Sequence, residues 1–205
     1  TDLTPKQENY ILKIDSASKA LLAIINDILD FSKIEAGKLD IEIIEFELDK
    51  VLNDLATLVT LKAQEKDIEV LFSIDKDVPY QLLGDPLRLG QILTNLTTNA
   101  IKFTEQGEVI LKIRKLKQKN KQVVLEFLVK DTGIGLSEEQ VKKLFKKFAQ
   151  ADSSTTRQYG GTGLGLTISK NLTEMMNGEI WVESQLGEGS NFYFDLNFYN
   201  TTLIV

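Results

Sequence analysis

The chain has 205 residues, of which 42% are apolar and 26% charged, enough for one sizeable globular domain and an extra element. The net charge of −6 argues against non-specific nucleic-acid binding, which requires a basic surface. Cysteine and histidine are both absent, which removes disulfides, thiol catalysis, the usual zinc ligands and the commonest general base.

No apolar run is long enough to span a bilayer, and no signal peptide opens the chain, so no membrane contact is expected of it. Thr4, Pro5 and Gln7 form a helix start: a cap, a proline suited to the first helical position and the second half of a capping box. The helix is expected to run to about Ala36, with Gly37 as its stop. Its apolar residues, Tyr10, Ile14, Ala17, Leu21, Ile24, Ile28 and Phe31, alternate spacings of four and three, the seam of a helix bundle. Ile11, Leu22, Ile25 and Leu29 widen that face. Such a stripe either packs on the domain behind it or meets a partner helix, and its heptad regularity and the length of the helix favour the partner.

From Lys38 the pattern changes. Residues 40–48 read as a strand, 48–65 as a helix, 68–75 as a strand and 85–103 as a second long helix. "EVILKIRKL" and "QVVLEFLVKD" alternate around the basic turn "KQKNK" and predict a hairpin. Ser137 caps a short helix in "SEEQVKKLF". Residues 149–162 lack periodicity and are expected to form a mobile loop, followed by a helix over 163–177. "EIWVES" and "NFYFDLNF" alternate as strands. About five strands and three helices in mixed order predict an α+β, two-layer sandwich.

Three stretches carry candidate chemistry. On the helix at 85–103, Asn95, Asn99 and Lys102 share a narrow stripe beside the apolar face of Ile92, Leu96, Ala100 and Phe103. At 1.5 Å per residue, Asn95 and Lys102 are roughly 10 Å apart, comparable with the reach of a triphosphate. In "KDTGIGL", Asp131 continues the strand row Val123, Leu125, Phe127 and Val129, so its carboxylate points toward the covering layer. A carboxylate there needs a hydrogen-bond donor. Gly133 and Gly135 let the backbone turn and let a flat group approach. "YGGTGLGL" feeds a helix N-terminus, whose free N–H groups favour anions. It fits neither the dinucleotide fingerprint nor the P-loop.

Taken together, in this order and on these elements, these stretches resemble the ATP-binding domain of the sensor histidine kinases, in the superfamily shared with gyrase, MutL and the Hsp90 chaperones. "NLTTNAIKFT" (95–104) resembles the N box, "DTGIGL" (131–136) the G1 box, "LFKKFAQ" (144–150) the F box and "GGTGLGLTISK" (160–170) the G2 box. "GEGSNFYF" (187–194) resembles the last glycine box. The resemblance covers about residues 40–198. The amino-terminal helix, ending "INDILDFSKIEAGKL", resembles the second helix of the dimerisation and phosphotransfer hairpin, so residues 1–38 and 39–205 are expected to be separate domains. Hybrid kinases, with a receiver domain downstream, read this way.

The resemblance implies a set of roles. Asp131 would accept the hydrogen bond of the adenine 6-amino group. Asn99 would coordinate Mg²⁺ through its amide oxygen, a hard ligand suited to that ion. Asn95 and Lys102 would hold phosphates, and Leu144 and Phe103 would wall the base. Gly161, Thr162, Gly163, Leu164, Gly165 and Leu166 would form the lid side of the site, with Gln150 and Arg157 as lid candidates for the γ-phosphate. The implied ligands are ATP and Mg²⁺. The implied partners are a response-regulator receiver domain and a second copy of the parent protein, and the implied location is the cytoplasm.

One departure matters. The phospho-accepting histidine of such kinases lies on the first helix of the hairpin, and this chain has no histidine. Residues 1–3 resemble the hairpin turn, so the expectation is a truncated kinase that binds ATP but cannot phosphorylate itself. In the gyrase and Hsp90 relatives a glutamate stands one turn before the metal-binding asparagine, and here that place is Asn95. An amide cannot take a proton at neutral pH, so water attack is poorly supported. Phosphoryl transfer to a presented imidazole needs positioning and charge neutralisation instead. The expected function is therefore a histidine kinase core. The alternatives are a degenerate kinase serving as a nucleotide-binding or scaffolding module, and an ATP-driven chaperone or repair clamp.

Overall fold

The computed structural model describes residues 3–145 and 163–201. The chain falls into two compact units, residues 1–39 and 40–205.

The first unit is one helix, α1 (Pro5–Glu35). Thr4 and Gln7 form the expected capping box: the Gln7 N–H donates to Thr4 Oγ1 at 3.3 Å, and the Thr4 N–H donates to Gln7 Oε1 at 2.9 Å. At the other end Gly37 takes φ +61°, and the N–H groups of Gly37 and Lys38 return to the carbonyls of Ile34 and Lys33. That is a Schellman closure, which a left-handed glycine makes cheaply. Tyr10, Ile14, Leu21, Ile24 and Ile28 of the predicted stripe are exposed.

The second unit is a seven-stranded sheet with helices packed on it. Its strands are β1 (Ile44–Glu47), β2 (Ile68–Ile74), β3 (Gln81–Gly84), β4 (Gly107–Lys119), β5 (Gln122–Asp131), β6 (Ile180–Gln185) and β7 (Gly189–Asn200). Their order is β1-β3-β7-β5-β4-β2, with β6 beside the first half of β7. Among the described residues β2 and β4 pair parallel and the other pairs are antiparallel. The helices are α2 (Leu48–Gln64), α3 (Pro86–Phe103), the short α4 (Glu138–Lys143) and α5 (Gly165–Met175). α3 contacts both α2 and α5 and lies over β4 and β5.

The core follows from two periodicities. On β5, Val123, Leu125, Phe127 and Val129 are fully buried, and Asp131 ends the same row. On α3, Leu89, Ile92, Leu93, Leu96 and Ala100 are buried at helical spacing. Phe127 stacks on Phe194 with ring centroids 4.7 Å apart, and Phe198 meets it edge-on.

The two-layer α+β architecture is as expected, but the sheet has seven strands rather than about five: each of the six stretches read as strands forms one, and β3 is added. β3 is four residues long, too short to show alternation. The strand expected at 40–48 shrinks to β1, because the Glu42 N–H leaves the sheet to donate to Asp85 Oδ2 at 3.1 Å. The other oxygen of Asp85 accepts from the Arg88 N–H and caps α3. The last helix starts at Gly165, not Gly163. The loop expected over 149–162 lies outside the described residues.

The C-terminal end of α3 is finished by a residue from another element. Lys66, in the turn between α2 and β2, donates from Nζ to the carbonyls of Ile101, Lys102 and Thr104 at 2.9, 2.8 and 3.0 Å. A cation there also opposes the negative end of the helix dipole. Lys66→Met keeps the aliphatic stem but strands three carbonyls. It is expected to lower stability by about 1–2 kcal/mol. A thermal melt should show this as a Tm drop of about 3–6 °C.

Candidate functional site

The site begins at the end of α3. Lys66 occupies the carbonyls of Ile101, Lys102 and Thr104, and the carbonyl of Phe103 accepts from the Ile134 N–H at 3.2 Å. The glycine loop after β5 is thereby fixed to the helix that carries Asn95, Asn99 and Lys102. The approach is close: a β-carbon on Gly133 would collide with the Phe103 carbonyl oxygen. That is a physical reason for glycine at this position beyond turn geometry.

The same loop is held from its other side by the β6–β7 turn. The Ile134 carbonyl accepts from the Gly187 N–H at 2.8 Å, and Ser184 Oγ accepts from the Leu136 N–H at 2.8 Å. Ser184 in turn donates to the Gly189 carbonyl and sits 2.9 Å from Ser190 Oγ. Gly135 lies in this clamped stretch at φ +65°. Ser184 and Gly187 therefore brace the loop that follows Asp131.

Asp131 heads the loop and is 5% exposed. Its Oδ1 accepts from the Gly133 N–H at 2.8 Å. Burial raises its pKa above the ordinary carboxylate range, and the backbone N–H groups of Gly133 and Ser190 oppose that rise. An ionised carboxylate has about four acceptor positions, so it retains capacity for a ligand donor. Such a donor would relieve the desolvation that its burial imposes.

Next to this, α3 and α5 join through polar side chains. Asn95 Nδ2 donates to Ser169 Oγ at 2.8 Å, and Asn99 Nδ2 donates to Asn95 Oδ1 at 3.3 Å. A β-carbon on Gly165 would collide with Asn95 Oδ1, so the first turn of α5 needs glycine to sit this close. The amide nitrogen of Asn99 is thus engaged, and its oxygen is the atom suited to a hard cation. Among the described residues no group of three or more acidic or histidine side chains could cage a metal. The donor set fits Mg²⁺ held by one protein oxygen together with ligand phosphates and water.

The remaining sequence-predicted residues divide clearly. Lys102 is half-buried at the end of α3, where burial lowers its pKa, and its Nζ lies 4.9 Å from the Phe103 ring centroid. Phe103 is half-buried beside it. Leu144 is half-buried just after α4, which packs on β6. Gly163 has φ +70°, Leu164 is buried, and Gly165 and Leu166 open α5, which has no side-chain cap. Gln150, Arg157, Gly161 and Thr162 lie outside the described residues.

The fold therefore brings three sequence stretches together: 95–104 with 131–136 through Phe103, and 95–104 with 163–169 through Asn95. Sequence reasoning missed Lys66, Ser169 and Ser184. Ser169 had a readable signal, since the buried face of α5 carries three hydroxyl residues, Thr167, Ser169 and Thr173.

No described helix is long and apolar enough to cross a membrane. The family model for histidine kinase-, DNA gyrase B- and HSP90-like ATPases matches residues 84–200. The sensor histidine kinase GacS of Pseudomonas protegens is 49% identical over 98% of this chain, which spans 22% of that relative. The signal transduction histidine-protein kinase BarA of Escherichia coli is 46% identical over all of this chain, again 22% of the relative's length. Full-length ShkA, solved in complex with AMPPNP, superposes with a TM-score of 0.79 at 32% identity, over 98% of this chain and 41% of that one. With glycine loop, asparagine helix and brace assembled in one place, and with a family model matching more than half its length, the chain belongs to the histidine kinase-, DNA gyrase B- and HSP90-like ATPase family.

Proposed function

We propose that residues 40–205 bind ATP with Mg²⁺ and form the catalytic core of a sensor histidine kinase. The γ-phosphoryl passes to a histidine on a helix outside this chain, and from there to the aspartate of a response-regulator receiver. The observation that carries this reading is Asp131. It is a buried acceptor at the head of a loop whose backbone is bonded to the end of α3. In this reading it takes the adenine 6-amino hydrogen bond. Asn99 offers its oxygen to Mg²⁺, which neutralises phosphate charge when bound. Lys102 and the uncapped start of α5 hold phosphate oxygens. Phe103 and Leu144 wall the base, and Gln150 and Arg157 serve the γ-phosphate.

Kinase is favoured over ATPase by Asn95. Its amide is already committed, donating to Ser169 and accepting from Asn99, and it has no capacity to take a proton from water. The names of GacS and BarA as histidine kinases support the same reading. The exposed stripe of α1 supports a role as the second helix of a dimerising hairpin in a cytoplasmic portion of the parent protein.

The test is transfer in trans. The chain is mixed with γ-labelled ATP, Mg²⁺ and a separately supplied histidine-bearing hairpin. Label is expected on the hairpin, in an acid-labile and base-stable linkage, without sustained phosphate release. Sustained release that falls when Asn95 is replaced would contradict the reading and favour a hydrolysing clamp. ADP binding with neither transfer nor turnover would identify a scaffold.

A further inference from the structure

We infer that Ser169 is a positioning residue for the magnesium ligand: it holds Asn95, which holds Asn99 with its amide oxygen turned toward the ion. The inference rests on the placement of Mg²⁺ at Asn99 proposed above, and it adds a residue from α5 to that site.

The geometry is a series of three side chains across two helices. Ser169 is 1% exposed on the buried face of α5. Its backbone carbonyl accepts from Thr173 Oγ1 at 2.8 Å, which ties this turn of the helix to the next. Its hydroxyl oxygen accepts from Asn95 Nδ2 at 2.8 Å. That bond commits the nitrogen end of Asn95 to α5 and turns its oxygen along α3, one turn onward. There Oδ1 accepts from Asn99 Nδ2 at 3.3 Å. Gly165 packs against the same oxygen, so the Asn95 amide is confined between the first turn of α5 and Asn99.

The direction of this series matters because an amide is nearly symmetrical in shape but not in charge. A carboxamide that presents oxygen binds a cation, and one that presents NH₂ repels it. Among the described residues, the group that tells the two orientations of Asn99 apart is the acceptor on Asn95. Asn95 keeps that acceptor in place because Ser169 holds its nitrogen end and Gly165 closes on its oxygen end. Removing the hydroxyl frees Asn95 to turn over, and then Asn99 follows with its nitrogen toward the ion. Partners that orient a ligand in this way change metal affinity by about 10- to 100-fold when removed.

A merely structural contact between α3 and α5 would act differently, on the stability of the domain and on all nucleotides alike. The experiment therefore reads two affinities and one melt for each variant. Calorimetry measures ATP binding with Mg²⁺ and with chelator, and a thermal melt reports folding. Ser169→Ala is expected to cut the Mg²⁺-dependent gain in ATP affinity by about tenfold, with metal-free affinity and Tm near wild type. Ser169→Thr, which keeps the hydroxyl, is expected to restore the gain. A wild-type gain in Ser169→Ala overturns the inference. Equal loss with and without Mg²⁺, accompanied by a lower Tm, overturns it in favour of plain packing. If Asn99→Ala also keeps the full gain, the ion is not at Asn99, and the site reading fails along with the inference. Loss in Asn99→Ala but not in Ser169→Ala fails the inference alone.

Discussion

Asp131→Ala is expected to weaken ADP binding by about 10- to 100-fold, the loss of one or two hydrogen bonds to a charged acceptor. Binding of inorganic tripolyphosphate is expected to stay at the wild-type level. The split follows from where the carboxylate sits. It ends the buried row of β5, on a different element from the asparagines of α3, and the partners that oppose its burial are the backbone N–H groups of Gly133 and Ser190. Its one resolved contact within the loop is the Gly133 N–H, at 2.8 Å. A titration of both ligands against the variant checks this. Equal loss for ADP and tripolyphosphate would mean that the substitution collapses the loop, and that Asp131 does not read the base.

Asn99→Ala is expected to abolish the Mg²⁺ dependence of ATP binding, so that affinities with and without the ion become about equal. The side chain is half-buried, and its nitrogen is already bonded to Asn95, so truncation removes the one oxygen the helix offers to a hard cation. The neighbouring Asn95 is a poor replacement, because its nitrogen is held by Ser169 and its oxygen lies against Gly165 at the first turn of α5. Calorimetry in Mg²⁺ and in chelator checks the prediction. Unchanged dependence would place the ion elsewhere.

Much of this was legible in the residues. The capping box of Thr4 and Gln7, the stop at Gly37, the alternation of β5 and β7 and the apolar face of α3 are local patterns, and all are present in the fold. Asp131 could be placed on the covered face of its strand because side chains alternate with period two. What escaped has a common cause. β3 is four residues between Pro79 and Pro86, too short for periodicity to register. Lys66 is an ordinary lysine in a charged turn, and only the tertiary fold brings it to three carbonyls 35, 36 and 38 residues away in sequence. Ser169 lies 74 residues from Asn95, and its partner could not be named before α3 and α5 were seen side by side. Local pattern picked out the candidate site residues; the groups that hold them in place come from distant segments.

The most direct measurement is a crystal structure of the chain with AMPPNP and Mg²⁺. The account predicts the adenine amino group within hydrogen-bonding distance of the Asp131 carboxylate and the ion on Asn99 Oδ1. A base seated away from residue 131, or an ion with no contact to residue 99, would contradict it.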